Sequence, residues 1–156
     1  MSKIMKVLPW FASVFISGIF LDSLRFKFTG HQTPEHIFTT LRDWSGIGLF
    51  FPAGPWIIGV AELTAFILLI VLPIIFLLKK NETRAHQFQA LGALLSLGVM
   101  GGAIVFHLFT PLGIETPVEW AGSEPTKFSA ALFYSACVTW LCAAFVFVLR
   151  WRQLKS

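Results

Sequence analysis

The sequence predicts an all-α integral membrane protein, a four-helix bundle with a short amphipathic helix in its first outer loop. Of the 156 residues, 56% are hydrophobic and only 13% are charged, whereas about a quarter of the residues in a soluble domain are charged. Four apolar stretches account for the difference, and roughly 20 apolar residues are enough to span a bilayer. We expect membrane helices at about residues 7–28, 57–78, 88–109 and 128–149, in a single domain that covers residues 1–156.

The first of these helices has the shortest apolar run, Val7–Leu21, and it spans the bilayer only if it continues towards Phe28. Lys3 and Lys6 precede this run, as the basic residues of a signal peptide would, but no clear A-x-A cleavage site follows it. We therefore predict that the segment stays on the chain as an uncleaved anchor helix.

The long outer segment between the first two helices is predicted to contain a short amphipathic helix at residues 33–43. Thr33 is suited to cap it, with Pro34 at its first helical position. Its apolar face consists of Ile37, Phe38 and Leu41. This pattern is typical of a helix on the outer membrane surface or folded over the mouth of the bundle, and whether it acts as a lid is left open.

Two further connections and two helix-packing features complete the predicted architecture. A short polar turn, about residues 79–87, joins the second and third helices, and the outer loop Thr110–Lys127 is predicted to be solvated. Pro73 should kink or loosen the second helix. Gly98 and Gly102 form a G-x-x-x-G motif, which predicts close helix packing inside the bundle or, alternatively, the face of a homo-oligomer.

The basic residues indicate the orientation of the helices. One side of the predicted bundle is rich in them, whereas the other side mixes basic with acidic residues in longer loops. By the positive-inside rule, both termini are predicted to be cytoplasmic. Because the basic residues are short helix flanks, they do not predict nucleic-acid binding. The residues of the basic side are Lys3, Lys6, Lys79, Lys80, Arg84, Arg150, Arg152 and Lys155.

Three polar side chains from three helices are predicted to lie in one layer near the outer face. Glu62 is about five residues into the second helix, a depth of ~8 Å at 1.5 Å per residue. Lys27 is at the outer end of the first helix, and His107 is in the last turn of the third. A carboxylate in a membrane helix is costly and normally faces protein or a cavity. We therefore predict these three residues as the candidate catalytic group.

Each of the three side chains also has a structural alternative. Lys27 could extend its ammonium to the headgroups, and His107 could stabilise a helix dipole. Glu62 could form a structural ion pair with Lys27 or Arg25. A layer that combines lysine, glutamate and histidine favours a functional site over three separate structural roles.

Other motifs predict little chemistry. Cys137 and Cys142 are five residues apart on one helix, which is neither a C-x-x-C redox motif nor a zinc spacing. His31 and His36 are loop residues for which no metal site is predicted. The chain has no nucleophile elbow, no P-loop and no dinucleotide fingerprint. A self-contained enzyme activity is therefore not predicted.

Three stretches of the chain resemble the motifs of DoxX-like membrane proteins, in the same order and over about residues 20–115. They are Phe26–Gly30 with Ile37–Leu41, then Gly59–Leu63, then Gly92–Leu95 with Gly98–Ile104, His107–Leu108 and Leu112–Ile114. The resemblance implies a four-helix bundle in a bacterial cytoplasmic (inner) membrane. It also draws attention to Lys27, Glu62 and His107.

The function that this resemblance implies is a redox one. The founding member of the family is similar to a small subunit of a thiosulfate:quinone oxidoreductase, and other relatives are linked to oxidative-stress or thiol-redox systems. The resemblance thus implies quinone as a candidate cofactor. The candidate partners are the lipid bilayer and another membrane or periplasmic redox subunit.

Three functions remain open at this stage. In the first, the chain is a quinone-interacting subunit in which His107 or Lys27 bonds to a quinone carbonyl and Glu62 exchanges the proton. In the second it binds a lipid or small amphiphile without redox chemistry, and in the third it is a structural assembly subunit. The predicted ligand-binding residues are Arg25, Phe28, Thr29 and Phe106, with Phe50 and Phe51 as further walls of a ring pocket.

Overall fold

The computed structural model describes residues 3–155, which form α-helices, one π-helical segment and a two-stranded antiparallel sheet. Met1, Ser2 and Ser156, which belong to the predicted domain 1–156, lie outside the described residues. The elements are α1 (Lys3–Phe28), α2 (Gln32–Ser45), α3 (Ala53–Phe66), the π-helical segment (Ile67–Val71), α4 (Leu72–Leu78), α5 (Glu82–Phe109), β1 (Thr116–Ala121), β2 (Glu124–Ser129) and α6 (Ala131–Lys155).

Four helical stretches are long and apolar enough to cross a membrane, as predicted: Lys6–Phe28, Ala53–Leu78, Glu82–Phe109 and Ala131–Lys155. Each carries large apolar side chains on its outward face, and Phe11, Leu78, Phe109 and Leu141 are between 62% and 79% exposed. Such surfaces suit a lipid environment. The predicted bounds are displaced most at the end of α6, which reaches Lys155, and at the start of α5, which begins at Glu82 because Asn81 caps it: the Asn81 side chain accepts from the Arg84 N–H.

The four stretches pack against one another around a shared apolar core. Helix α5 lies along α6, and α1 contacts both α3 and α6. The core draws on every one of them, through Ile16, Phe20, Ala65, Leu69, Ala93, Met100, Ala136, Ala143 and Val146. We call the end that carries α2 and the hairpin the capped end. The opposite end, where α1 begins, α6 ends and α4 turns into α5, is the terminal end.

The second membrane stretch is interrupted at a proline, as predicted. Pro73 has no N–H to bond to the Leu69 carbonyl four residues earlier, and the helix widens into the π-helical segment just before it. The Gln89 side chain of α5 donates to that carbonyl at 3.1 Å instead. Gly92 permits this close approach, because a Cβ there would lie 2.9 Å from the Leu69 backbone nitrogen.

The predicted amphipathic helix exists and is folded over the mouth of the bundle, but its predicted cap is wrong. His31 is the N-cap, with its Nδ1 accepting from the Thr33 N–H at 3.2 Å. The Thr33 hydroxyl is not available for capping because it donates to the Pro117 carbonyl of β1 at 2.9 Å. Phe38 and Leu41 are buried on the side that faces the bundle.

The prediction of an all-α fold is wrong in one place. The outer loop that was expected to be solvated forms a hairpin in which β1 and β2 pair antiparallel. The two-residue turn at Gly122 and Ser123 permits this pairing, with Gly122 at a φ of 63°, which glycine adopts without strain. Trp120 of the hairpin donates from Nε1 to the Thr33 hydroxyl at 3.1 Å, so the hairpin holds α2 in place.

Candidate functional site

A cavity of about 710 Å³ lies at the capped end, with α2 forming part of its wall. Cavities that bind small molecules usually measure about 300–1,000 Å³. Most of the wall is apolar, and all four membrane stretches contribute to it. Its polar or charged side chains include Asp22, Ser23, Lys27, His31, Thr33, Glu62, His107 and Ser135.

Two glycines of α5 make room for this cavity. Gly98 and Gly102 both line it, and a Cβ added at either position would meet no atom within 4 Å. The predicted role of this G-x-x-x-G motif in close packing inside the bundle is therefore wrong. The close contacts are made elsewhere, by Gly92 against the π-helical segment and by Gly54 against Phe38.

Lys27 and Glu62 form a buried ion pair in the cavity wall. The Lys27 Nζ lies 2.9 Å from Oε1 and 3.0 Å from Oε2 of Glu62, and it also donates to the Ser23 hydroxyl one turn earlier. The side chain of Glu62 is only 2% exposed and that of Lys27 is 13% exposed. As predicted, the two residues thus lie close to each other near one end of their helices.

The close contact of α1 with α3 allows this pair to form. Gly59, one turn before Glu62, has no side chain, and the Phe28 ring occupies the space that a Cβ would need. Phe28 in turn stacks on Trp56, with ring centroids 4.9 Å apart. The aromatic contact therefore sets the separation of the two helices at the height of the ion pair.

His107 lines the same cavity from α5. Its Nδ1 lies 2.6 Å from the carbonyl oxygen of Gly113, and its ring packs edge-on to Phe133 with centroids 5.8 Å apart. His107 is 6% exposed and is bound to the backbone rather than to Lys27 or Glu62. The structure thus brings all three predicted residues to one cavity, with the ion pair and the histidine as separate polar groups.

The predicted ligand-binding residues divide into two groups. Phe106 lines the cavity, together with Phe50, whose ring is perpendicular to it at a centroid distance of 5.5 Å. Arg25 and Thr29 are outside the cavity lining: the guanidinium of Arg25 pairs with Asp22 at 2.9 Å, and the exposed Thr29 hydroxyl donates to the Arg25 carbonyl. Phe28 also lies outside it.

Phe51 is another predicted wall that does not line the cavity. It lies beneath the Arg42 guanidinium, 5.8 Å from the ring centroid, next to a cis peptide bond with Pro52. The residues that take its place in the wall come from α2 and the following loop, such as Ile37 and Leu49. Their positions depend on how α2 folds back, which no local pattern indicates.

Sequence reasoning missed a second buried polar cluster, at the terminal end. Arg150 is fully buried, and its Nε and Nη1 each donate at 2.6 Å, to the side-chain oxygens of Gln89 and Gln153 respectively. Its Nη2 reaches the Lys6 carbonyl at 3.5 Å, and Gln89 also donates to Ser13 at 3.4 Å. Gln89, a polar residue within the predicted third helix, was the available signal.

The described residues form neither a metal-ligand cluster nor a disulfide. Across residues 3–155, no three His, Cys, Asp or Glu side chains come close enough together to hold a metal ion. Cys137 and Cys142 are half-buried free thiols on α6, and neither lines the cavity.

No family model, no curated protein and no solved structure matches the chain.

Proposed function

We propose that this chain is a DoxX-like protein of the bacterial cytoplasmic membrane, with both termini in the cytoplasm, whose cavity binds a quinone-class ring. In this proposal it serves as a quinone-interacting subunit or accessory of a membrane redox system. The observation that carries the proposal is the cavity of about 710 Å³ with the Lys27–Glu62 ion pair in its wall. A membrane or periplasmic redox subunit is the proposed partner.

The cost of burying charge supports a ligand site over a purely structural pair. A buried ion pair is often no more stabilising than apolar residues of the same volume. Here the pair borders a cavity that the side chains of the protein do not fill, and such a gap lowers stability because the wall atoms lose packing contacts with one another. A protein that only needed stability would gain from filling the cavity, so the open space with charged groups beside it is better explained by an occupant.

The aromatic wall fits a planar occupant. The rings of Phe50 and Phe106 stand perpendicular to each other on one side of the cavity. Such aromatic faces and edges accept a flat ring in a stacked or edge-to-face arrangement. The mainly apolar remainder of the wall suits the attached tail of a membrane quinone.

A second candidate function is a non-redox binder of a lipid or small amphiphile. It is favoured by the position of Cys137 and Cys142, which are outside the cavity lining, so the pocket offers a ligand no thiol of this chain. A mainly apolar cavity with polar groups in its wall also fits an acyl chain with its headgroup. The two candidates differ in what the cavity contains when the protein is isolated.

The test is mass spectrometry of organic extracts from gently purified protein, comparing wild type with Glu62→Gln and Gly102→Leu. Stoichiometric quinone in wild type, and its loss in Gly102→Leu, is the expected result, because the leucine fills the cavity from a position where a Cβ meets nothing within 4 Å. Glu62→Gln should also lower the quinone content, because it leaves the buried Lys27 ammonium in the cavity wall without its counter-charge. Only bulk phospholipid in all samples would contradict a quinone site.

Two control variants separate the cavity from its surroundings. Gly101→Ala changes the neighbouring glycine, which is outside the cavity lining and whose new Cβ would make an ordinary 3.4 Å contact with Trp140. Arg42→Gln removes a charge at the same end of the bundle, where both Arg42 and its partner Asp43 are outside the cavity lining. Both should retain the quinone of the wild type. Loss of quinone in the controls as well would indicate a general effect on the bundle.

A further inference from the structure

The hydrogen bond of His107 decides which of its ring nitrogens is left for a ligand. A backbone carbonyl can only accept, so the Nδ1 that lies 2.6 Å from the Gly113 oxygen must carry the proton. In the neutral imidazole the other nitrogen, Nε2, is then an acceptor. A neutral His107 in the cavity wall therefore offers a ligand a lone pair and no N–H.

The backbone after α5 fixes this arrangement. Gly113 has a φ of 67°, and its N–H reaches the Thr110 carbonyl at 3.4 Å, closing a tight turn directly after the helix. The Thr110 hydroxyl holds the same turn by donating to the Phe106 carbonyl at 2.6 Å and accepting from the Leu112 N–H at 3.3 Å. The carbonyl that His107 faces is thus part of a closed turn, so the proton on Nδ1 is a property of the fold.

The ion pair likewise presents hydrogen-bond acceptors to the ligand. An ammonium has three N–H donors, and Lys27 has three acceptors beside it: the Ser23 hydroxyl and both oxygens of Glu62. A carbonyl ligand would have to displace one of these contacts to receive a hydrogen bond from Lys27. The Glu62 carboxylate, in contrast, keeps lone pairs beyond those that face the ammonium.

His31, which also lines the cavity, holds the opposite tautomer. Its Nδ1 accepts from the Thr33 N–H, so in the neutral ring its Nε2 carries a proton and can donate. The two histidines that line the cavity thus differ in the hydrogen-bonding role of their free ring nitrogens. A ligand that meets His107 has to donate, whereas one that meets only His31 has to accept.

We infer that the cavity selects a ligand whose ring carries a hydroxyl group, of the hydroquinone or phenol class, which donates its O–H to Nε2 of His107. The matching dicarbonyl, a quinone, has no O–H and binds less tightly. This inference rests on the proposed function, that the cavity binds quinone-class rings, and adds that the reduced, hydrogen-bond-donating form is the preferred one.

The experiment compares two redox-inert probes that differ only at the oxygen, para-pentylphenol and its methyl ether para-pentylanisole. Their affinities for the purified full chain in detergent are measured by calorimetric titration. A single net hydrogen bond is worth about 1 kcal/mol, so the phenol should bind about fivefold more tightly than the ether. Equal affinity of the two probes for the wild-type protein, or tighter binding of the ether, would by itself overturn the inference.

Two histidine variants locate the preference. In His107→Asn the shorter amide can still donate to the Gly113 carbonyl but has no group in place of Nε2, so the phenol preference should disappear while the ether affinity stays. In His31→Asn the N-cap role is kept, since asparagine is a favoured N-cap residue, and the preference should persist. Thermal unfolding of both variants near that of wild type ensures that the comparison concerns the site.

The outcomes distinguish the inference from the proposed function. If both probes bind wild type and Gly102→Leu abolishes both, the cavity is the site, and the ratio of the two affinities decides the inference alone. If neither probe binds, the cavity does not take aromatic rings, and the proposed function fails together with the inference. Loss of the preference in His31→Asn but not in His107→Asn would assign the selectivity to His31 and overturn the role of His107.

Discussion

The two ends of the helix bundle bury charge in opposite ways. At the capped end, Lys27 and Glu62 carry opposite charges, contact each other and border a cavity. At the terminal end, Arg150 is fully buried among oxygen acceptors that are neutral, from Gln89, Gln153 and the Lys6 backbone. The comparison teaches that two buried charges can differ in their surroundings: the pair at the capped end borders a cavity, whereas Arg150 links its helix to α5 and α1. For this reason we propose a ligand site at the first and a structural role at the second.

The buried polar cluster around Arg150 connects the long helices of the bundle. Arg150 on α6 reaches α5 through Gln89 and α1 through the Lys6 carbonyl, and Gln89 continues to Leu69 of the second membrane stretch. One connected set of hydrogen bonds therefore joins all four membrane stretches. In a membrane, apolar contact alone gives little preference for one helix arrangement, so such polar contacts help to specify it.

The largest effect on stability is expected from breaking the pair at the capped end. Lys27→Met leaves the Glu62 carboxylate buried without its cation, which should lower the free energy of unfolding by about 3–5 kcal/mol. Adding Glu62→Gln should recover part of this loss, because the uncompensated charge is removed. The measurement is unfolding by SDS titration in mixed micelles for the wild type, both single variants and the double variant.

The matched control for this prediction is an ion pair on the surface. Lys127 lies 2.7 Å from Glu119 on the hairpin, at a similar N–O distance but with both side chains exposed. Lys127→Met should leave unfolding unchanged within error, since exposed pairs contribute little. Strictly additive effects of Lys27→Met and Glu62→Gln would contradict the coupling of the buried pair.

A smaller loss is expected at the terminal end, where no ion pair is broken. Gln89→Leu removes the acceptor of Arg150 and the donor to the Leu69 carbonyl, and should cost about 1–3 kcal/mol for buried groups left without partners. The cost should shrink in a Pro73→Ala background, because alanine restores an N–H one helical turn after Leu69. The same SDS titration measures both.

A second polar residue of α5 serves as the control. The buried Ser96 hydroxyl donates to the Gly92 carbonyl of its own helix at 2.8 Å and links no two helices. Ser96→Ala should therefore cost less than Gln89→Leu, and its cost should not depend on Pro73. An equal cost of Gln89→Leu with and without Pro73 would show that the Leu69 carbonyl does not need the Gln89 donor.

The smallest effect concerns the hairpin contact at the capped end. Burial lowers the pKa of His36 from its ordinary value of 6.5, and its ring faces Trp120 at a centroid distance of 6.0 Å. The folded state thus binds the proton less readily than the unfolded state, so stability is lost as the pH falls through about 6.5. The unfolding temperature of wild type, relative to that of His36→Gln, should be lower at about pH 5.5 than at about pH 7.5. A difference that is constant across this range would exclude such a role for His36.

The residues of the ion pair were predictable because depth in a membrane is a one-dimensional quantity. Counting residues from the helix ends places Lys27 and Glu62 in one layer of the bundle. Their opposite charges then favour an ion pair. The cavity was not predictable in this way. It depends on the absence of side chains at Gly98 and Gly102, and the same motif is typical of close packing in other bundles.

The buried polar cluster around Arg150 and the hairpin were missed for different reasons. Arg150 follows the last apolar helix directly, next to Arg152 and Lys155, so its charge was interpreted only as an orientation signal. The hairpin carries a Gly-Ser turn and β-forming residues such as Val118 and Trp120, but its charged residues suggested a solvated loop. A pairing across a two-residue turn is a local signal and could have been found.

The contact between α2 and the hairpin has a consequence for the order in which the protein matures. The Gln32 side chain donates to the Gly122 carbonyl at 2.6 Å across a separation of 90 residues, and the Thr33 hydroxyl bridges 84 residues to Pro117. During synthesis, the N-terminal half of the chain is made before these acceptors exist. The contacts that hold α2 over the cavity can therefore form only after the third long apolar helix and the hairpin have been synthesised, so the nascent chain passes through a stage in which the cavity has no hairpin to hold its cover.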